Sequence, residues 1–261
     1  MTPHDFSDRC ALVTGATSGF GQAIARTLLA GGARVVATGR REDRLRALEA
    51  EGEGRVLPRM LDMTATAAVD LFVEALPADW QPDVLVNNAG LALGLGGADA
   101  ASLDHWDRMI ATNVTGLVHL TRSLLPRFKA LPRADIVNMS SVAASYPYPG
   151  GNVYGATKAF VTQFSLGLRA DLIGSRCRVT SVEPGMADTE FSQVRFEGDR
   201  AKADQVYEGV NALRASDIAR VVTDVLALPP HVNINRVEIM PVQQAFGAFA
   251  VARSGEGEGS V

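Results

Sequence analysis

The sequence predicts an α/β fold in which a parallel, doubly wound sheet carries helices on both faces. Short apolar runs that suit buried strands alternate with segments of helical periodicity. Right-handed crossovers between parallel strands then place helices on both faces. A glycine-rich turn follows the first strand, and other distinctive polar residues also stand at strand ends, where such folds bind ligands. We expect one domain over residues 1–253 and a disordered tail over 254–261.

Composition and charge exclude several classes of partner. The chain has 261 residues, which is long enough for a large core, and its net charge of -4 does not favour nucleic acid or an anionic membrane. No apolar run reaches the ~18 residues of a membrane span. The start, M-T-P-H-D-F-S-D, lacks the pattern of a signal peptide. We therefore expect a cytoplasmic protein that binds a small molecule.

The cysteines and histidines do not indicate a metal site. Cys10 and Cys177 both lie in apolar, strand-like contexts and are predicted to be buried thiols rather than a disulfide. The four histidines show no ligand spacing. We predict no bound metal.

The first predicted strand, residues 10–14, leads directly into a glycine-rich turn and then a helix. A strand, a glycine turn and a helix in this order can bind a pyrophosphate, because glycine lets backbone N–H groups approach it and the helix N-terminus favours its charge. The spacing is T-G-x-x-x-G-x-G, and without its context the turn could be only a tight turn. The predicted dinucleotide-binding residues here are Gly15, Thr17, Ser18, Gly19, Phe20 and Gly21.

Two arginines follow the second predicted strand, residues 34–39. An acidic residue at this place would bind the ribose 2′-hydroxyl of NAD, whereas arginine can pair with a 2′-phosphate. Arg40 and Arg41 therefore predict NADP as cofactor. The alternative is that they only begin a solvated helix.

The third and fourth predicted strands, residues 56–61 and 83–86, also end in candidate cofactor residues. Asp62, followed by Met63, could accept a hydrogen bond from an adenine amino group or could cap the next helix, over 64–76. After the fourth strand the chain reads N-N-A-G, a turn where backbone can pass close to a cofactor. Its candidate residues are Asn88, Ala89 and Gly90.

The remaining elements follow from the same patterns. Asn113 lies in a long helical segment, and its apolar flanks favour a structural role over a catalytic one. A polar, charged segment over 192–206 contains Arg195. The other predicted ranges are helices at 103–130, 152–173 and 216–228, and strands at 134–140, 178–183 and 237–240.

Residues 141–158 form the predicted proton-transfer site. Tyr154 and Lys158 are four apart, so a helix places both side chains on one face. An ammonium beside a phenol favours the phenolate, and we therefore expect a lowered pKa for Tyr154. Ser141 follows the fifth strand and could bind the same substrate oxygen. Such a group can transfer a proton to or from an alcohol or carbonyl.

Taken together, T-G-A-T-S-G-F-G, N-N-A-G and Y-x-x-x-K resemble the short-chain dehydrogenase/reductase family over about residues 7–250. The resemblance implies a single-domain Rossmann fold with a seven-stranded sheet. It implies Ser141, Tyr154 and Lys158 as catalytic residues, with Asn113 as the active-site asparagine, which overrides the structural interpretation above. Tyr154 and Lys158 should also bind the cofactor. The nicotinamide end should contact Pro184, Gly185 and Thr189.

The C-terminal half is most similar to the NADP-dependent 3-hydroxy acid dehydrogenases, on the segments P-G-G-N-V-Y-G-A-T-K, E-F-S-x-V-R-F and H-V-N-I-N. This implies a homotetramer that acts on a serine, allo-threonine or 3-hydroxypropionate type of substrate. Ser141 and Tyr154 would bind its hydroxyl, and Arg195 could bind its acid group, unless Arg195 is a surface residue paired with Glu197 or Asp199. Alternatives are a reductase of sulfoacetaldehyde or of a neutral carbonyl, an epimerase, and a non-catalytic NADP-sensing protein.

Overall fold

Seven parallel strands form the central sheet of the computed structural model, which describes residues 4–195 and 209–247. Two further strands pair with each other outside it. In chain order the strands are β1 Cys10–Val13, β2 Arg34–Gly39, β3 Val56–Met60, β4 Val84–Asn87, β5 Ala134–Met139, β6 Cys177–Pro184, β7 Ala187–Asp188, β8 Leu213–Arg214 and β9 Arg236–Ile239.

Eight α-helices connect these strands in the described part of the chain. One π-helical turn, Ala111–Gly116, separates two of them, and short 3-10 turns lie at Ala78–Trp80 and Val142–Ala144. The helices are α1 Gly19–Ala30, α2 Glu42–Glu51, α3 Thr66–Glu74, α4 Leu103–Ile110, α5 Leu117–Ala130, α6 Asn152–Asp171, α7 Glu190–Arg195 and α8 Ala215–Ala227.

The strand order of the large sheet is β3-β2-β1-β4-β5-β6-β9, and every neighbouring pair is parallel. From β1 the strand order proceeds through β2 to β3, and from β4 it proceeds the opposite way through β5 and β6 to β9. The carboxyl ends of β1 and β4 therefore flank the point where the connections diverge to the two faces of the sheet. Ligands bind at this point in doubly wound sheets. The predicted doubly wound fold is confirmed.

The sheet separates two apolar cores. Successive side chains of a strand point to opposite faces, and β1 shows this directly: Ala11 and Val13 pack with α1, α2 and α8, whereas Cys10 and Leu12 pack with α3, α5 and α6. The strands are therefore buried on both faces, which explains why they read as continuous apolar runs. Cys10 and Cys177 are buried free thiols, as predicted.

The predicted helix over 103–130 is present but interrupted by the π-helical turn. Gly116 explains part of this local path, because a Cβ added there would lie 2.2 Å from the Met63 carbonyl oxygen. Of the predicted polar segment over 192–206, the first residues belong to α7 and the rest lie outside the described residues. The predicted tail over 254–261 and the end of the predicted domain lie outside them as well.

A buried ionic network joins the amino ends of four central strands. Arg9, which precedes β1, pairs with Asp83 before β4, and its Nη2 donates to Asp135 of β5 over 2.7 Å. From β6, Arg178 Nε donates to the other oxygen of Asp135 over 2.6 Å. Arg9, Asp135 and Arg178 are all buried. Buried charges are tolerated when they are paired in this way, and removing one partner is costly.

Within the described ranges, no helix is both long and apolar enough to cross a membrane. In the same ranges, acidic, histidine and cysteine side chains form no group of three that could bind a metal ion.

Candidate active site

A cleft of about 1200 Å³ opens at the carboxyl edge of the sheet. Nearly all the predicted site residues line it. Only Gly21 and Asn113 are absent from its wall, and both are buried. The predicted residues at the surface of the cleft are Gly15, Thr17, Ser18, Gly19, Phe20, Arg40, Arg41, Asp62, Met63, Asn88, Ala89, Gly90, Ser141, Tyr154, Lys158, Pro184, Gly185, Thr189 and Arg195.

The glycine turn is attached to the N-N-A-G turn that follows β4. The Thr14 hydroxyl accepts hydrogen bonds from the backbone N–H groups of Asn88 and Ala89, each over 2.9 Å. In return, Asn88 Nδ2 donates to the Thr14 carbonyl over 2.8 Å. These contacts fix the two turns against each other at the divergence point of the sheet, so the floor of the cleft is rigid.

Two glycines make this close contact possible. Gly15 has a φ of +65°, which favours glycine. Gly21 is required by space, because a Cβ added there would lie 2.4 Å from both Asn88 Nδ2 and the Gly15 carbonyl oxygen. In the described chain the Ser18 side chain does not cap α1. The first N–H groups of this helix can therefore bind an anion at the cleft.

Arginines from the end of β2 and from α2 form a basic wall at one end of the cleft. Arg40 is exposed, whereas Arg41 is partly buried and donates to the Thr17 carbonyl over 3.2 Å. Arg44 donates to the same carbonyl over 3.3 Å. Arg41 and Arg44 both also bind the carboxylate of Glu190, at the start of α7. Such a cluster suits a phosphate group.

Asp62 makes a local contact near the start of α3 that is not a helix cap. Its Oδ1 accepts from the Thr64 backbone N–H over 2.9 Å and from the Thr64 hydroxyl over 2.8 Å, just before α3. These hydrogen bonds, first that of the Thr64 backbone, lower the pKa of Asp62. The predicted capping of the next helix is wrong, because Ala65 is the N-cap residue of α3 and no described side chain caps it. Contact of Asp62 with an adenine stays a prediction.

Tyr154 lines the cleft and is only 8% exposed. Burial raises its pKa, while the Ser141 hydroxyl and the charge of Arg195 act in the opposite direction. The lowered pKa expected from the sequence is not found in this structure, because desolvation of the phenolate outweighs both favourable contacts. Tyr154 is thus a neutral phenol at neutral pH, ready to donate a proton.

Lys158 lies one helical turn from Tyr154, as predicted. Its Nζ is 5.8 Å from the centroid of the Tyr154 ring and donates to the Met139 carbonyl over 2.8 Å. Burial lowers the pKa of Lys158 to about 8. The ammonium form therefore still predominates at pH 7, while the groups that act to lower the pKa of Tyr154 are Ser141 and Arg195.

Asn113, in the π-helical turn, joins the loop after β4 to α6. Its Oδ1 accepts from the Leu91 N–H and its Nδ2 donates to the Leu91 carbonyl, each over 2.9 Å. Nδ2 also donates to the Thr157 hydroxyl over 3.1 Å, and that hydroxyl donates to the Tyr154 carbonyl. The structural role inferred from the residues alone is thus observed. The active-site role implied by the resemblance stays a prediction.

Arg195, the last residue of α7, lies over the ring of Tyr154. Its Nη2 donates to the Tyr148 hydroxyl over 2.7 Å, and its guanidinium carbon lies 5.8 Å from the Tyr154 ring centroid. Among the described residues, its buried Nε has no hydrogen-bond partner. A buried donor without a partner is costly. Arg195 itself lines the cleft, so its guanidinium charge can meet an anionic group there.

The segment that follows β6 forms another wall of the cleft. Ser141 Oγ donates to the Pro184 carbonyl over 3.3 Å. A Cβ added at Gly185 would lie 2.3 Å from Gln244 Oε1, which itself accepts from the Met186 N–H. Thr189 packs beside Gly19 at the start of α1. The segment after β6 therefore reaches across the cleft to the glycine turn.

Among the residues that the sequence analysis missed are Tyr148, Glu190 and Gln244, which line the cleft, and Arg44, which pairs with Glu190. Tyr148 lies in the P-Y-P-G-G turn after Ser141, and its place near a strand end could have drawn notice. The others depend on contacts between distant segments, for which the sequence carries no local signal.

The arrangement combines an anion-binding turn, a basic wall, a buried phenol with a nearby amine, and a guanidinium. It can bind a long, multiply charged nucleotide along the cleft. At the far end of the cleft it can transfer a proton to an oxygen of a second, small molecule. An acidic group on that small molecule would contact Arg195.

Comparison with known proteins agrees with this geometry. A family model described as short chain dehydrogenase matches residues 9–200. The NADP-dependent 3-hydroxy acid dehydrogenase YdfG of Salmonella typhimurium is 54% identical over 245 residues, which cover 93% of this chain and 99% of that protein. The serine 3-dehydrogenase of Agrobacterium fabrum is 51% identical over 243 residues, which cover 93% and 97% of the two chains.

A solved structure is similar throughout. The closed form of a serine dehydrogenase complexed with NADP+ aligns with a TM-score of 0.92 and 49% sequence identity. The alignment covers 94% of this chain and 100% of that chain.

The substitution Gly21→Ala tests the close contact between the two turns. Overpacking against Asn88 and Gly15 is expected to lower the free energy of unfolding by about 1–3 kcal/mol, measured by urea denaturation. Gly167→Ala is the matched control, because a Cβ at this position in α6 meets nothing within 4 Å. That change should stabilise the helix by about 1 kcal/mol or less. Equal effects of the two substitutions would contradict the proposed packing constraint.

Proposed function

The chain belongs to the short-chain dehydrogenase/reductase family, and we propose that it is an NADP-dependent 3-hydroxy acid dehydrogenase. It interconverts a small 3-hydroxy acid, of the serine, allo-threonine or 3-hydroxypropionate type, and the corresponding oxo acid or semialdehyde. The names of relatives that are 51% and 54% identical over 93% of this chain support this choice of substrate class.

The observation that carries the proposal is the position of Arg195. Its guanidinium lies over Tyr154, with a buried Nε that has no partner among the described residues. A cation at the proton-transfer site favours a substrate that bears an acid group near its reacting carbon. Arginine is suited to a carboxylate because it can donate two parallel hydrogen bonds.

The residues present fit NADP as the cofactor. The glycine turn packs against Asn88 without room for a side chain at Gly21. Within the part of the chain that the structure describes, the first N–H groups of α1 have no side-chain cap and can bind a pyrophosphate. Arg40 and Arg41 would bind the 2′-phosphate, at the end of β2 where the adenosine ribose lies in this fold. Lys158 would bind the nicotinamide ribose, and Thr189 would lie at the nicotinamide. When bound, the cofactor supplies or accepts the hydride.

The protein's own contribution is to bind and protonate one oxygen. Ser141 and Tyr154 would bind the substrate oxygen together. Because burial keeps the Tyr154 phenol neutral, it can donate its proton to a carbonyl oxygen in the reduction direction. In the oxidation direction the phenolate, formed when Tyr154 releases its proton toward solvent, accepts the proton of the substrate hydroxyl. Asn113 supports this geometry through the Leu91 backbone and would fix the path by which the proton reaches solvent.

We also propose that the protein is a cytoplasmic homotetramer with one domain over residues 1–253. Exposed apolar side chains support self-association: Phe160 on α6 is 40% exposed and Ile110 on α4 is 43% exposed. Helix faces of this kind become buried when subunits associate. Sedimentation equilibrium measures the assembly directly, and a monomeric mass at micromolar concentration would refute it.

Tyr154→Phe is expected to lower kcat by at least about 1000-fold, because the proton donor is removed while the ring is kept. Binding of NADPH, followed by its fluorescence, should change by less than about twofold. Near wild-type turnover would rule out Tyr154 as the acid/base.

Arg195→Gln tests the substrate class. The Michaelis constant for 3-hydroxy acids is expected to rise about 10- to 100-fold, since a charged hydrogen bond to the carboxylate is lost. The panel comprises L-serine, L-allo-threonine, 3-hydroxypropionate and 3-hydroxyisobutyrate, with sulfoacetaldehyde and a neutral ketone as the alternatives. The control is Arg46→Gln, on an arginine that is 62% exposed.

Turnover of the acids with NADP(H) that is impaired by Arg195→Gln and not by Arg46→Gln would support the proposal. Turnover confined to the neutral ketone would instead identify a neutral-carbonyl reductase and leave Arg195 without a role in substrate binding.

A further inference from the structure

Glu190, the first residue of α7, places a carboxylate on the basic wall of the cleft. Its Oε2 accepts from Arg41 Nη1 over 2.9 Å, and its Oε1 accepts from Arg44 Nη1 over 2.6 Å. Both oxygens are therefore used by arginines that come from a different part of the chain. All three side chains are between 37% and 40% exposed, and Arg41 and Glu190 line the cleft, where a ligand can reach them.

The carboxylate is charged at neutral pH. Burial acts to raise the pKa of Glu190, but hydrogen bonds from Arg44 and Arg41 outweigh it and the pKa is lowered. An anion of this kind satisfies the same donors that a phosphate would use, because both present oxygens to a guanidinium fork.

Arg41 follows the end of β2, where the adenosine ribose lies in this fold. A 2′-phosphate at this ribose and the carboxylate of Glu190 would therefore both bind the guanidinium of Arg41. A ribose that carries only a 2′-hydroxyl does not, because it has no charge to exchange for the carboxylate. Glu190 thus competes with a nucleotide that carries the 2′-phosphate, but not with one that carries only the 2′-hydroxyl.

We infer that Glu190 is an internal competitor for the adenosine 2′-phosphate and so limits the affinity of the protein for NADP(H) relative to NAD(H). The inference rests on the proposed NADP-dependent function and names a specificity residue outside its catalytic set. NADP(H) binds after Arg41 exchanges the carboxylate for the phosphate. The carboxylate then favours departure of the nucleotide by returning to the arginine, which suits an enzyme that must release its cofactor at each turnover.

The size of the effect follows from the exposure of the groups. Ion pairs that are partly open to solvent each contribute little. Removal of the Glu190 charge would also remove its repulsion of the phosphate. Removal of the charge is therefore expected to improve NADP(H) binding about three- to tenfold. NAD(H) binding should change by less than about twofold, since its ribose does not compete with Glu190.

The test is a calorimetric titration of the full chain with NADP and with NAD, which needs no turnover. Glu190→Gln keeps the size of the side chain and removes its charge, and Glu190→Ala removes the side chain as a second, independent variant. Glu42→Gln is the matched control, because Glu42 lies beside Arg41 in sequence but pairs with Arg46 on the exposed face of α2. The measured quantity is the ratio of the NAD to the NADP dissociation constant.

A ratio that rises about three- to tenfold in either Glu190 variant, and by less than about twofold in Glu42→Gln, would support the inference. An unchanged ratio in both Glu190 variants would overturn it, and so would a fall, which would mean that Glu190 orients the arginines for the phosphate. A wild-type chain that binds neither nucleotide would instead refute the proposed function itself.

Discussion

The close packing of two turns at the divergence point of the sheet is the constraint on which the site depends. Thr14 and Asn88 bind each other's backbone, and Gly21 leaves no room for a side chain between them. This contact connects β1 to β4 across the edge where ligands bind. Because the turns cannot separate without breaking several part-buried hydrogen bonds, the floor of the cleft is held in one shape.

Helix α7 spans the opposite side of the cleft and carries a charge at each end. Glu190 meets the arginines near the start of α2, while Arg195 meets Tyr148 and lies over Tyr154. Between them, Phe191 packs on the Tyr154 ring with a centroid distance of 5.8 Å. One short helix therefore contacts both the proposed cofactor-binding and substrate-binding ends, and events at either end can influence the other through its position.

The sheet, its helices and the positions of the chemically distinctive turns were predictable from the sequence, because each depends on a local pattern. The glycine turn and the Tyr154–Lys158 spacing are examples, and the resemblance to a family added Asn113. The contact between Arg41 and Glu190 was not predictable, since the two are 149 positions apart. The direction of the Tyr154 pKa shift was also missed, because neighbours can be read from a sequence whereas the degree of desolvation cannot.

The ionic network of Arg9, Asp135 and Arg178 lies at the amino edge of the sheet, a full strand length from the cleft. It ties four strands together without using any group that meets a ligand. Natural variation at the substrate end can therefore accumulate without loosening the framework, and a duplicated copy could acquire a new preference while still folding. The polarity of a parallel sheet thus separates two tasks, since the amino edge holds the strands together and the carboxyl edge carries the cleft.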